Sequence, residues 1–122
     1  MINNQQLTTT SDTKVFTAST TGAAIGGAVT AQNRAVTNII LCNTGAVTIT
    51  DESINRTSVD VYLVKQGETP VDANKIVSSL TVPAGETVFF SDEKIILDGG
   101  DEVWVKAADA NLITVTTSSL PV

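Results

Sequence analysis

The stretch from Val82 to Glu102 constrains the fold more than any other, because it alternates tight-turn signals with short apolar runs. Val82–Gly85 and Asp98–Asp101 contain proline, glycine and aspartate at spacings that favour sharp chain reversals. The apolar runs between and after them are Val88–Phe90, Ile95–Leu97 and Val103–Val105. Short runs of β-branched and aromatic residues bounded by turns are typical of β-strands. We therefore expect both turn sequences to join neighbouring antiparallel strands.

Short strands of the same kind are predicted along most of the chain. They are Lys14–Thr17, Ala35–Asn43, Ala46–Thr50, Ser58–Lys65, Asn74–Leu80 and Ile113–Ser119. Ala35–Asn43 has apolar residues at both odd and even positions, which predicts a central strand covered on both faces. Roughly eight strands separated by about 8 to 12 residues are typical of a sandwich or barrel. We predict an all-β protein with a single antiparallel β-sandwich, either a jelly roll or Ig-like.

The first 34 residues differ in composition from the remainder of the chain. Residues 1–13 are polar, and the run from Ala18 to Gly27 consists mostly of small residues, so neither part can form a core of its own. We predict an extended N-terminal arm and small-residue loop at 1–34, followed by the β-sandwich at 35–122. For residues 1–13, the alternative to an arm ordered by a neighbouring subunit is a disordered tail. Lys14–Thr17 pairs either with a neighbour or within its own sandwich.

A few apolar residues are candidates for partner binding. They are Leu7, Val15, Phe16 and Ile25 in the N-terminal segment, together with Trp104. Trp104 lies between Val103 and Val105 in a strand, so it faces outward if the two valines face the core. An outward indole contributes most at an interface.

The residue inventory disfavours most kinds of chemistry. The chain has no histidine and one cysteine, so we expect no Ser-His-Asp or Cys-His catalytic site, no zinc site and no cofactor. Cys42 lies in an apolar run, which predicts a buried, inert thiol. Asp98, Asp101 and Glu102 form an acidic cluster, for which we expect backbone capping in turns, with a calcium site as the alternative.

Charge and hydropathy limit the classes of partner. The net charge is −6 and the seven basic residues are scattered, so no basic patch for nucleic-acid phosphates is expected. No apolar run approaches the roughly 18 residues of a membrane span, so no membrane insertion is expected either.

Several short motifs carry a resemblance to a known group of proteins. They are Tyr62–Val64, Asn74–Val77, Val82–Thr87 and Ile96–Val103, with the opening Asn4–Thr9 before a Val-Phe pair. Their order resembles that of small β-sandwich structural proteins from the virions of tailed bacteriophages, over roughly residues 35–118. The chain departs from that pattern by an insertion at Asp51–Ser58 and a long segment at Ala18–Arg34.

The resemblance implies a non-enzymatic virion protein, assembled in the host bacterial cytoplasm. It would attach in multiple copies to the capsid shell, the neck or the tail, in a decoration or accessory role. Its partners would be other virion proteins and copies of itself. The alternative from another class is a carbohydrate-binding or cell-surface-binding module of a phage fibre, which should expose two or three aromatic side chains on one face.

Overall fold

The computed structural model describes residues 2–18, 24–25, 28–29, 33–91 and 95–122. Its strands are β1 (Ile2–Gln6), β2 (Thr13–Thr17), β3 (Ala24–Ile25), β4 (Ala28–Val29), β5 (Arg34–Asn43), β6 (Thr57–Val64), β7 (Lys75–Val82), β8 (Thr87–Phe90), β9 (Ile95–Leu97), β10 (Glu102–Ala107) and β11 (Ile113–Pro121). One turn of 3-10 helix, Asp72–Asn74, precedes β7.

The long strands form two antiparallel sheets. Sheet A has the order β1-β11-β5-β8, and β9 pairs with the other half of β5, so that β8 and β9 together form one edge. Sheet B has the order β2-β10-β6-β7. The short strands β3 and β4 pair only with each other among the described residues.

The order of strands in the two sheets identifies the topology. Numbered in chain order without β3 and β4, and with β8 and β9 counted as one interrupted strand, sheet A runs 1-8-3-6 and sheet B runs 2-7-4-5. This is the strand order of a jelly roll, one of the double-sheet solutions for antiparallel strands. The prediction of an all-β antiparallel sandwich is confirmed, and the topology selects the jelly roll over the Ig-like alternative.

The hydrophobic core lies between the sheets and is built from alternate residues of each strand. In β10, Val103 and Val105 are fully buried while Trp104 between them points away from the core, as its position predicts. In β6, Val59 and Val61 are fully buried in the same way. Burying each such side chain contributes about 1.5 to 3 kcal/mol relative to leaving it exposed.

The two predicted reversals are present, but each carries the chain from one sheet to the other. The N–H of Asp101 donates to the carbonyl of Asp98 at 3.0 Å, and Gly100 has φ 97°. Gly85 has φ 77° in the other turn. The strands joined are β7 to β8 and β9 to β10, which lie in different sheets. The reversals were predicted correctly, but the expectation that each joins neighbouring antiparallel strands is wrong, because turn residues specify a reversal and not the sheet that receives the next strand.

Ala46–Thr50 is not a strand, although its residues alternate like one. Residues 44–56 form a loop that carries the chain from sheet A to sheet B, and Val47 and Ile49 are 68% and 96% exposed. Alternation of apolar and polar residues is typical of a half-buried strand, but it does not provide a partner strand. The backbone of residues 46–50 is not part of either sheet.

Asn43 is the polar side chain that holds this crossing loop in place. It is fully buried, and its Nδ2 donates to the carbonyls of Asn55 and Val82 at 2.7 and 2.9 Å. Its Oδ1 accepts from the N–H of Gly45 at 2.9 Å. The last residue of β5 therefore joins the beginning of the loop, the end of the loop and the end of β7.

The N-terminal residues belong to the sandwich, which corrects the predicted boundary between an arm at 1–34 and a domain at 35–122. Strand β1 pairs with β11 from Ile2 opposite Ser118 to Gln6 opposite Thr114, and β2 pairs with β10. Residues 2–18 thus supply one edge strand to each sheet. The polar composition of β1 is that of an edge strand with little buried surface, and it resembles the composition of a free arm.

Candidate interaction surface

The structure describes the side chains of four of the five predicted partner-binding residues and places them in two environments. Leu7, Val15 and Phe16 are 0%, 7% and 3% exposed and belong to the core of their own chain. Trp104 is half-buried on the outer face of sheet B. These four side chains do not form one surface. Ile25 lies in β3, and its side chain is outside the described residues.

The outer face of sheet B, which we call the charged face, carries ion pairs over aromatic rings. Lys14 Nζ lies 2.8 Å from Glu102 Oε2 and 5.9 Å from the centre of the Trp104 ring. The indole Nε1 of Trp104 donates to Glu102 Oε1 at 3.4 Å. The register of β10 with β2 places Trp104 opposite Lys14, so the ammonium group lies close to one side of the indole ring.

A second group of the same kind lies beside the first on the charged face. Lys75 Nζ is 5.5 Å from the centre of the Tyr62 ring, 3.4 Å from Asp72 Oδ1 and 3.7 Å from Asp60 Oδ2. Tyr62 is 6% exposed, and burial raises the pKa of its phenol, with a further contribution from the negative charge of Asp12. The lysines, carboxylates and aromatic rings of the charged face are therefore already in contact with one another, and the face carries both positive and negative charge.

The outer face of sheet A has the opposite character, and we call it the uncharged face. It consists of the side chains that point away from the core on β1, β11, β5, β8 and β9. They are Ile2, Asn4, Gln6, Thr114, Thr116, Ser118, Leu120, Ala35, Asn38, Ile40, Cys42, Thr87, Phe89 and Ile96, with Thr37 at the bulge of β5. None of these side chains carries a charge at neutral pH.

The strand register arranges the apolar side chains of the uncharged face in two rows across the sheet. In one row, Ile40 of β5 lies between Phe89 of β8 and Thr116 of β11. In the other, Ala35 of β5 lies between Ile96 of β9 and Leu120 of β11.

Asn38 and Ser118 form a polar stretch between the two apolar rows, and Ile2 of β1 lies beside Ser118 at the edge of the sheet. Phe89, Ile96 and Leu120 are 61%, 65% and 56% exposed, so the apolar rows leave accessible surface on this face.

An uncharged face is unexpected in this chain, which has 13 acidic and 7 basic residues. The outward face of an antiparallel sheet is ordinarily solvated and polar. Depletion of charge together with exposed aromatic and aliphatic side chains is instead typical of the core of a protein–protein interface. The uncharged face is therefore the strongest candidate for a binding surface among the described residues.

The sequence contained one signal of this surface. The apolar residues at both parities of Ala35–Asn43 predicted a strand covered on both faces. Among the described residues, β5 is covered on its core side, and most of its outward side chains are half-buried. Cys42, expected to be buried, is accordingly half-buried on the uncharged face. The expected cover on both faces of β5 and the expected burial of Cys42 are both wrong for the described residues. Other side chains would have to cover the uncharged face for either to hold.

The acidic cluster takes part in turn and ion-pair contacts. Asp101 accepts from the N–H groups of Gln66 and Asp98 at 3.1 and 3.2 Å, and Glu102 pairs with Lys14. Among the described residues, no group of three or more Cys, Asp or Glu side chains is placed to hold a metal ion.

Comparisons with known proteins returned no match: no protein-family model, no curated protein and no solved structure matches this chain. No helix in the part of the chain that the structure describes is long and apolar enough to cross a membrane. The function is therefore proposed from the sequence motifs and from the properties of the two sheet faces.

Proposed function

We propose that this protein is a non-enzymatic structural protein of a tailed-bacteriophage virion, which is present in multiple copies on the capsid shell, neck or tail and buries the uncharged face of sheet A against a neighbouring subunit. The class comes from the motif order that resembles small phage β-sandwich proteins. The attachment surface comes from the structure. A jelly roll by itself is compatible with many functions, so the face and not the fold supports the proposal.

The uncharged face is the observation that carries this proposal. Phe89 and Ile96 lie on the same edge of the sheet, and each is more than half exposed. Exposing these apolar side chains to water does not stabilise the isolated chain. Removing such apolar surface from water stabilises a complex by roughly 25 cal/mol per Å² before the cost of association. The absence of charge on the described strands of this face means that a partner can cover it without desolvating an ion.

The carbohydrate-binding alternative gains no support from the positions of the aromatic side chains. Phe16 and Tyr62 are buried, and Phe90 packs against the core. Phe89 and Trp104 have accessible surface, but they lie on opposite faces of the sandwich. The five aromatic residues of the chain therefore do not place two or three accessible rings on one face, where a sugar could stack on them.

Incorporation into particles tests the proposal. Replacing Ile96 with lysine places a charge on the uncharged face, where burial would require desolvating an unpaired ammonium group. We expect the Ile96→Lys chain to fold, because the side chain is 65% exposed, and to be incorporated at least about tenfold less than wild type. The measurement is the ratio of this chain to the other virion proteins in purified particles.

Ile49→Lys is the matched control, because Ile49 is 96% exposed in the loop between β5 and β6. It makes the same chemical change away from the uncharged face and is expected to incorporate like the wild type. Equal incorporation of wild type, Ile96→Lys and Ile49→Lys would show that the uncharged face makes no contact in the particle and would refute the proposal.

A further inference from the structure

We propose that the partner of the uncharged face is the same face of a second copy of this chain, packed across a two-fold axis. This inference rests on the proposed function only in taking the uncharged face as a docking surface. It adds the identity of the occupant and the arrangement of the two sheets.

Charge limits how two copies can approach each other. Each copy has a net charge of −6, so contacts through most surfaces bring carboxylates together. The charged face of sheet B carries Glu102 and Asp60, already paired with lysines of the same chain. The uncharged face is the broad sheet surface, among the described residues, on which two copies meet without repulsion or loss of ion pairs.

The size of the face is sufficient for a specific contact. The uncharged face is four strand positions wide, and its longest strand, β5, has ten residues. With strands about 4.8 Å apart and about 3.3 Å per residue, it covers roughly 600 Å². Two such faces bury roughly 1,200 Å², which is the lower end of the range for stable interfaces.

The positions of the apolar rows are compatible with a two-fold axis. An axis that lies along the row of Asn38 and Ser118, between the two faces, exchanges the two apolar rows. Phe89 of one copy then lies opposite the partner's Ile96, and Ile40 opposite the partner's Ala35. Each contact occurs twice, as an isologous interface requires, and the sheets stack about 10 Å apart as in other face-to-face packings.

Sedimentation equilibrium of the purified full chain tests this arrangement. We expect the wild type to pass from the 12.7 kDa monomer to a species of twice that mass, with a Kd between about 1 μM and 1 mM. Phe89→Lys and Ile96→Asp, each alone, are expected to raise the Kd at least about tenfold. Mixed in equal amounts, these two variants should associate again, because the lysine of one copy then lies opposite the aspartate of the other.

The controls separate this arrangement from its alternatives. In a mixture of Phe89→Lys with Ile49→Asp, whose charge lies in the loop between β5 and β6, the Ile49→Asp chains should dimerise like the wild type and should bind Phe89→Lys more weakly than Ile96→Asp does. Equal binding of Phe89→Lys by Ile49→Asp and by Ile96→Asp, or rescue of Phe89→Lys by Phe89→Asp instead of Ile96→Asp, would overturn the proposed axis. A wild-type chain that is monomeric at about 1 mM would overturn self-association altogether.

Particle incorporation distinguishes this failure from failure of the proposed function. If the wild type is monomeric in solution but Ile96→Lys is excluded from particles, the uncharged face binds a different virion protein. The proposed function then stands, and the inference of a second copy falls.

Discussion

Replacing Leu7 with alanine is expected to lower the free energy of unfolding by about 2 to 5 kcal/mol, the range for a buried leucine. Leu7 is fully buried, its N–H donates to the carbonyl of Ile113 at 2.8 Å, and its carbonyl accepts from the N–H of Asn111 at 2.8 Å. Deleting residues 1–13 should cost more, because it also removes β1 from the edge of β11. A small domain has about 5 to 15 kcal/mol of stability in total, so the truncated chain should be largely unfolded or close to it.

Urea unfolding followed by tryptophan fluorescence measures this effect, with Ile49→Ala as the control. Ile49 is 96% exposed, so removing its side chain should change the stability by no more than about 0.5 kcal/mol. If Leu7→Ala matches the wild type in both midpoint and m value, residues 1–7 do not dock onto their own sandwich in solution. The predicted arm, ordered by a neighbouring subunit, would then be the better description of this segment.

The second large effect is expected at Asn43, whose side chain makes three hydrogen bonds from a fully buried position. Asn43→Leu fills a similar volume but leaves the carbonyls of Asn55 and Val82 and the N–H of Gly45 without this partner. Unmade hydrogen bonds of buried groups cost about 1 to 3 kcal/mol each, and the loop can relax to recover some of them. We expect a loss of about 3 kcal/mol in urea unfolding at pH 7.

Asn43→Asp tests the same buried position through the pH dependence of the free energy of unfolding. Burial against two carbonyl oxygens raises the pKa of the introduced carboxyl in the folded state above its value in the unfolded chain. Folding therefore favours the protonated carboxyl. The stability that the variant loses relative to the wild type is smallest near pH 4 and grows as the pH rises to 7. The matched control is Asn111→Asp in the exposed turn before β11, which should show little of this dependence. A deficit at Asn43 that is the same at both pH values would contradict the buried hydrogen-bonded position.

Strand positions could be predicted from the sequence because alternation, β-branched residues and turn signals are local. The strand Thr57–Val64 lies where Ser58–Lys65 was predicted, and its Val59 and Val61 face inward. The pairing of strands depends instead on contacts between distant segments. The Ile2–Gln6 strand pairs with the opposite end of the chain, so no local pattern distinguishes it from a free polar arm.

The candidate surface could be predicted only in part, for the same reason. Ala35–Asn43 showed that one strand had apolar residues to cover on both sides. Phe89 and Ile96 belong to the same surface only because β8 and β9 both pair with β5. The position of Trp104 indicated an outward indole, but its coverage by Lys14 depends on the register of β2 with β10.

A density map of the intact particle shows directly which face of the jelly roll is covered. We expect density for this chain with the uncharged face of sheet A buried against protein. The charged face, with Lys14 and Lys75 over their aromatic rings, should lie in solvent. Density with Phe89 and Ile96 in solvent and the outer face of sheet B buried against a neighbour would contradict it.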